Sequence, residues 1–127
     1  MRRVLGRLAQ TILTLCDDLG PNWDRTTILA IGESGRTAHE NGSAGTDRGT
    51  GVAMLVAGGA VRGGRALGEW PGLGQGDLHE GRDLMPMRDM RAYAAWAMLE
   101  KFGIPRTTLE EAIFPGLDMG PDPKLLA

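Results

Sequence analysis

The residues best suited to chemistry are crowded into one stretch, Gly32 to Gly51, where Glu33, Arg36, His39, Asp47 and Arg48 lie among glycines. A carboxylate such as Glu33 or Asp47 could ligate a divalent metal or serve as a base. His39 could complete such a site, since imidazole and carboxylate together suit zinc. Arg36 and Arg48 are candidates for anion binding, because a guanidinium can grip an anionic group through two parallel N–H donors. The same residues also have a plainer use: an acid–arginine pair ties down a loop, and Arg48 neutralises Asp47, Glu33 or Glu40. His39-Glu40 and His79-Glu80 do not form His-Glu-x-x-His, and both read as solvated surface histidines in glycine-rich loops. With no Gly-Lys-Ser/Thr and no Gly-x-Gly-x-x-Gly, nucleotide binding is not expected. Trp23, Trp70, Tyr93 and Trp96 read as core residues and loop anchors rather than a stacking surface.

Several elements must position these groups. Val4, Leu5, Leu8, Ile12, Leu15, Cys16 and Leu19 recur at helical spacing, with Arg3, Arg7, Gln10, Thr14 and Asp17 elsewhere on the wheel. This predicts an amphipathic helix with one buried face, stopped by Gly20-Pro21-Asn22. Thr26 to Ile31 and Val52 to Ala57 are short apolar runs without clear alternation, which suit strands covered on both faces, as in a parallel sheet. The glycine-rich stretch therefore follows the first strand, where ligands gather in open α/β sheets. Val61 to Gly68 could form a small hairpin around Gly63-Gly64, and Glu69 to Met87 reads as a long surface loop. Asp89 is a predicted N-cap for a helix over about Met90 to Phe102, with Gly103 as its stop. Thr107 to Glu111 has capping-box spacing for a further short helix ending at Phe114-Pro115. Residues 118–127, with Pro121 and Pro123, are expected to be a loose tail.

Composition bounds what this arrangement serves. At 127 residues the chain fits a single domain over 1–127. Its net charge of -2 gives no reason to expect nucleic acid or an anionic membrane as a partner. The single Cys16 excludes an internal disulfide framework and any multi-cysteine metal site, and reads as a small buried hydrophobe. Neither a signal peptide nor a run of the roughly 20 apolar residues that spans a bilayer is evident, so a chain complete as given would be cytoplasmic.

Read in order, Ile31-Gly-Glu-Ser-Gly-Arg-Thr37, Glu40-Asn-Gly42, Gly45-Thr-Asp-Arg-Gly-Thr-Gly51, Met54-Leu-Val-Ala-Gly-Gly59, Val61-Arg-Gly-Gly64, Gly68-Glu-Trp-Pro-Gly72, Asp89-Met-Arg91 and Phe114-Pro-Gly116 carry a resemblance. The chain resembles, from about Leu8 to Gly116, the C-terminal part of the bacterial domain of unknown function 1501 family, which is related to alkaline phosphatases and sulfatases. The resemblance implies a partial α/β fold, about three or four strands packed by two main helices. It also implies chemistry in which divalent metals, usually zinc, support phosphoryl or sulfuryl transfer. On this alignment Glu33 falls at an acidic metal-ligand position, Arg36 matches the family's arginine, and Asp47-Arg48 stands where the family has Asp-His. A guanidinium has no lone pair to give a metal, so Arg48 removes a ligand. The part of the superfamily fold that supplies the nucleophile and first aspartate ligands has no counterpart here. The expectation is therefore a non-catalytic, truncated or remnant member that binds an anion or a protein. The alternative is a metal-dependent phosphoric or sulfuric ester hydrolase, active only with a missing N-terminal half or a partner, as when the chain belongs to a longer reading frame. Uncovered apolar surface on such a piece implies a homo-oligomer or a protein partner.

Overall fold

The computed structural model describes residues 2–127, with side chains from Arg3 onward. Its class is α/β, as expected, built from three helices and short strand pairs. Helix α1 (Arg2–Leu19) leads through a 3-10 turn (Gly20–Arg25) into β1 (Ile28–Ile31). Strands β2 (Gly35–Arg36), β3 (Arg48–Gly49), β4 (Met54–Ala57), β5 (Leu78–His79) and β6 (Asp83–Leu84) follow. Helix α2 (Met90–Phe102) and the short α3 (Arg106–Thr108), which continues as a π-turn over Leu109–Ile113, complete the order.

The strands anticipated at 26–31 and 52–57 form and pair, but antiparallel rather than parallel. Ile28 lies opposite Ala57 and Ile31 opposite Met54. A parallel pair needs a long crossover, usually a helix, whereas here the chain returns through the β2–β3 ribbon. Just past β4, Gly58 closes this pair against the entry to β1: it has φ +138, and a Cβ there would sit 2.0 Å from the Thr26 carbonyl oxygen.

The core lies around α2. Asp89 accepts from the Arg91 amide as N-cap, and Gly103 closes the helix in the left-handed conformation at φ 64, so both predicted boundaries hold. Ala92 and Ala95 present a small-residue face that lets Leu109, Leu117 and Met119 approach closely, with Trp96, Leu99 and Phe114 packed around them. The second helical segment starts at Arg106 without a side-chain cap, so the Thr107 capping box does not form. Glu110 instead accepts from the Arg106 guanidinium and the Met119 amide, both at 2.9 Å.

Three further expectations change. The tail is not loose: Met119 and Leu125 are buried, Leu126 bridges Val61, and the Arg62 amide donates to the Leu125 carbonyl at 2.8 Å. This long-range partner replaces the hairpin expected over 61–68. Within the 69–87 stretch, Leu78–His79 and Asp83–Leu84 form a small antiparallel ribbon. Trp70 is no anchor, being 71% exposed. Finally, α1 forms as predicted, but its apolar face is not buried by the chain: Val4 is 69% exposed and Leu5 58%. Accessible surface totals 8633 Å², where a compact monomer of this mass exposes about 6,600 Å².

Candidate functional site

The glycine-rich stretch folds into the β2–β3 ribbon because its glycines permit backbone contacts that side chains would block. Gly35 stands opposite Gly49, and Arg36 opposite Arg48. A Cβ on Gly35 would meet the Gly51 carbonyl oxygen at 1.7 Å, and one on Gly49 would meet the Asp83 Cβ at 2.7 Å. Between the strands Asn41 holds the turn, its Oδ1 accepting from the amides of Ser43 and Gly45, each at 3.0 Å.

Directly opposed residues in an antiparallel pair project to the same face. Arg36 and Arg48, both exposed, are thus set side by side on the ribbon. Arg36 Nε donates to Thr46 Oγ1 at 3.0 Å, and Arg48 Nη1 reaches Glu33 Oε1 at 3.3 Å, with side chains 73% and 82% exposed. Such a water-exposed pair contributes little to stability. Its geometric effect is to draw the Arg48 guanidinium toward Glu33.

Asp47 and Glu33 are not brought into one ligand set. Asp47 Oδ1 accepts from Asn41 Nδ2 at 2.9 Å, and its backbone exchanges bonds with Thr37. His39 is exposed, its carbonyl accepting from the Thr37 hydroxyl at 3.1 Å. Among the described residues no three histidine, cysteine or acidic side chains converge to hold a metal ion. With Arg48 drawn onto Glu33, the residues at hand do not fit a resident zinc.

The residue that sequence reasoning missed is Asp83. Its side chain is fully buried, Oδ2 accepts from the Thr50 amide, and Arg82 Nε lies 3.5 Å from Oδ1. Opposite it in register stands His79, half-buried with Nδ1 enclosed and unpartnered, so this histidine is not the solvated one expected. The Thr37–Asp83 bridge and the Thr50 bond join the β5–β6 ribbon to both strands of the arginine ribbon. A lone acid among glycines carries no periodicity that marks it for burial.

The Thr50 amide holds the Asp83 carboxyl below its usual range, with Arg82 and His79 adding to that and burial opposing it. A depressed folded-state value means the carboxylate stabilises the fold above the unfolded value of about 3.9 and loses that contribution as pH falls through the lower folded value. Acid titration of stability should therefore show a decline below about pH 4 that is shallower in Asp83→Asn. Identical slopes for the two proteins would refute this role.

Among the described residues no helix is long and apolar enough to cross a membrane. No curated protein and no solved structure matches the chain. Residues 1–111, which include α1, all three ribbons and the Arg36–Arg48 pairing, match the family described as protein of unknown function (DUF1501), and the chain belongs to that family.

Proposed function

We propose that this chain is a non-catalytic family member that binds an anion, a phosphate- or sulfate-type group, between Arg36 and Arg48. The observation that carries this reading is the cross-strand register placing the two arginines opposite one another. Like charges in that position repel, and a bound dianion would relieve the repulsion while accepting from both guanidiniums. Glu33 acts as the internal competitor that holds Arg48 in place when no anion is bound.

Calorimetric titration with inorganic phosphate and sulfate tests the reading. Arg36→Gln and Arg48→Gln should each weaken binding about tenfold, the loss of one charge-assisted contact. Glu33→Gln should tighten it by removing the competitor. Equal affinity in all four proteins would dismiss the site. Metal-dependent turnover of an aryl phosphate or aryl sulfate that appears on adding the missing half or a partner, and is abolished by Glu33→Ala, would instead establish the hydrolase.

A further inference from the structure

The β5–β6 ribbon holds two polar atoms that the arginine pair does not use. Among the described residues three enclosed side-chain polar atoms lack a hydrogen-bond partner, and two of them are His79 Nδ1 and Asp83 Oδ1. The third, Thr27 Oγ1, lies just ahead of β1. His79 and Asp83 stand directly opposite one another in register, so their side chains share a face of the ribbon. Leaving either atom unpaired in a place closed to water is costly. Each is what the other lacks, because a protonated imidazole nitrogen donates and a carboxylate oxygen accepts.

The two ring nitrogens of His79 have different surroundings. Nδ1 is enclosed, whereas the half-buried ring leaves Nε2 to water. Solvent pH therefore sets the charge of the ring through Nε2. In the cation both nitrogens carry protons, so Nδ1 always donates. The neutral ring carries its one proton on either nitrogen, and one of those tautomers turns a lone pair toward the carboxylate. The hold of His79 on Asp83 is thus strongest in the protonated ring, and it weakens as pH rises through the range of about 5 to 8 in which an imidazole titrates.

Asp83 carries that hold to both arginine strands. Its Oδ2 accepts from the amide of Thr50, two residues beyond Arg48, and Asp83 bridges Thr37, the residue after Arg36. Gly49, the neighbour of Arg48, lies so near that an added Cβ would meet the Asp83 Cβ at 2.7 Å. The charged groups of the elements packed against the pair are Arg82 before β6, Glu80 beside His79, and Arg36, His39, Asp47 and Arg48 on the arginine ribbon and its loop. All are exposed, and Arg82 Nε comes within 3.5 Å of Asp83 Oδ1. Of these only His39 is of a type that titrates in the same range as His79.

We propose that His79 and Asp83 act as one positioning pair for the anion site: a proton on His79 Nδ1 donates to Asp83 Oδ1, keeps the other carboxylate oxygen on the Thr50 amide, and so couples the grip of Arg36 and Arg48 on an anion to the protonation of the imidazole. This coupling rests on the anion reading of the arginine ribbon and adds a dependence on pH to it.

Sulfate is the probe, because it keeps both of its charges across the imidazole range while phosphate gains a proton there. Calorimetric titration of the full chain should give a sulfate affinity about three- to fivefold weaker at about pH 8 than at about pH 5, the step from a charge-assisted to a neutral hydrogen bond. His79→Gln should bind equally at both, close to the wild-type affinity at the higher pH, whereas His39→Asn should keep the wild-type dependence. A merely structural His79 would change the affinity without flattening its pH profile. In nuclear magnetic resonance spectra of the wild type without sulfate, the Thr50 amide proton should shift in step with the His79 ring protons. A wild-type affinity independent of pH, a dependence that survives in His79→Gln, or a Thr50 amide indifferent to the His79 titration would each overturn the coupling and leave the anion site standing. Failure of the wild type to bind sulfate at any pH would overturn the anion reading itself, and the coupling with it.

Discussion

Gly35→Ala is expected to dismantle the arginine ribbon, and with it the anion site, while leaving the α2 core assembled. The added Cβ would stand 1.7 Å from the Gly51 carbonyl oxygen and 2.8 Å from its carbon. Both atoms are backbone, so no side chain can swing aside. Relief requires β2 to move away from the 49–51 segment, which breaks the Gly35–Gly49 and Arg36–Arg48 pairing. Overpacking against backbone places the cost near 3 kcal/mol, the upper end for a small-to-large change. Gly42→Ala, in the same loop but with nothing within 4 Å of its added Cβ, is the matched control and should change stability by less than about 0.5 kcal/mol. Urea denaturation and phosphate titration of the two variants separate the cases. A Gly35→Ala protein with wild-type midpoint and wild-type affinity would mean that the ribbon does not create the site.

The contrast between these two glycines also shows what a sequence can and cannot disclose. Both are glycine in one loop, and the difference lies in which backbone comes near. Local signals were readable where the physics is local: Asp89 caps α2 and Gly103 ends it because each acts on its own turn. The runs at 26–31 and 52–57 announced strands through their β-branched and apolar content. Their direction was hidden, because apolar runs report a demand for burial and not the path by which the partner returns. That demand is only partly met, as Ile31 at 51% and Leu55 at 44% exposure show. The same gap explains α1, whose periodicity correctly gave a helix and a sticky face but not what covers the face.

For the candidate site, the acid–arginine pairing was legible: Arg48 does neutralise Glu33, one of the partners its position allowed. The register that sets Arg36 beside Arg48 was not, since it depends on Asn41 gathering the turn and on the absence of Cβ atoms at Gly35 and Gly49. Asp83 was invisible for a related reason. Its role exists only once the Thr50 amide, a long way off in sequence, is brought to it. The tail misled through its prolines, which argue against helix and strand but not against packing; Met119 joins the α2 core, and Leu125 is buried where its carbonyl accepts from the Arg62 amide.

That packing makes Met119→Ala the second substitution with a large expected effect, although the residue lies beyond the matched family region of 1–111. Met119 is fully buried and belongs to the cluster with Ala92, Ala95, Leu109 and Leu117. Its backbone is held as well: the amide donates to Glu110 at 2.9 Å, and the carbonyl accepts from Trp96 Nε1 at 3.1 Å and from Arg88. These bonds fix the main chain, so the surroundings cannot collapse freely into the space left by a truncated side chain. A cost of about 2–5 kcal/mol follows for a methionine cut back to alanine in such a core. Marginal stability makes that a large share of the whole, because a chain of this length has on the order of 6–19 kcal/mol at most. Leu8→Ala is the informative comparison. It removes as much hydrocarbon from an open helix face and should cost the isolated chain under about 1 kcal/mol. Thermal or urea unfolding measures both. If Met119→Ala unfolds with the wild-type midpoint, the tail is not part of the core, and the α2 region must draw its stability from elsewhere.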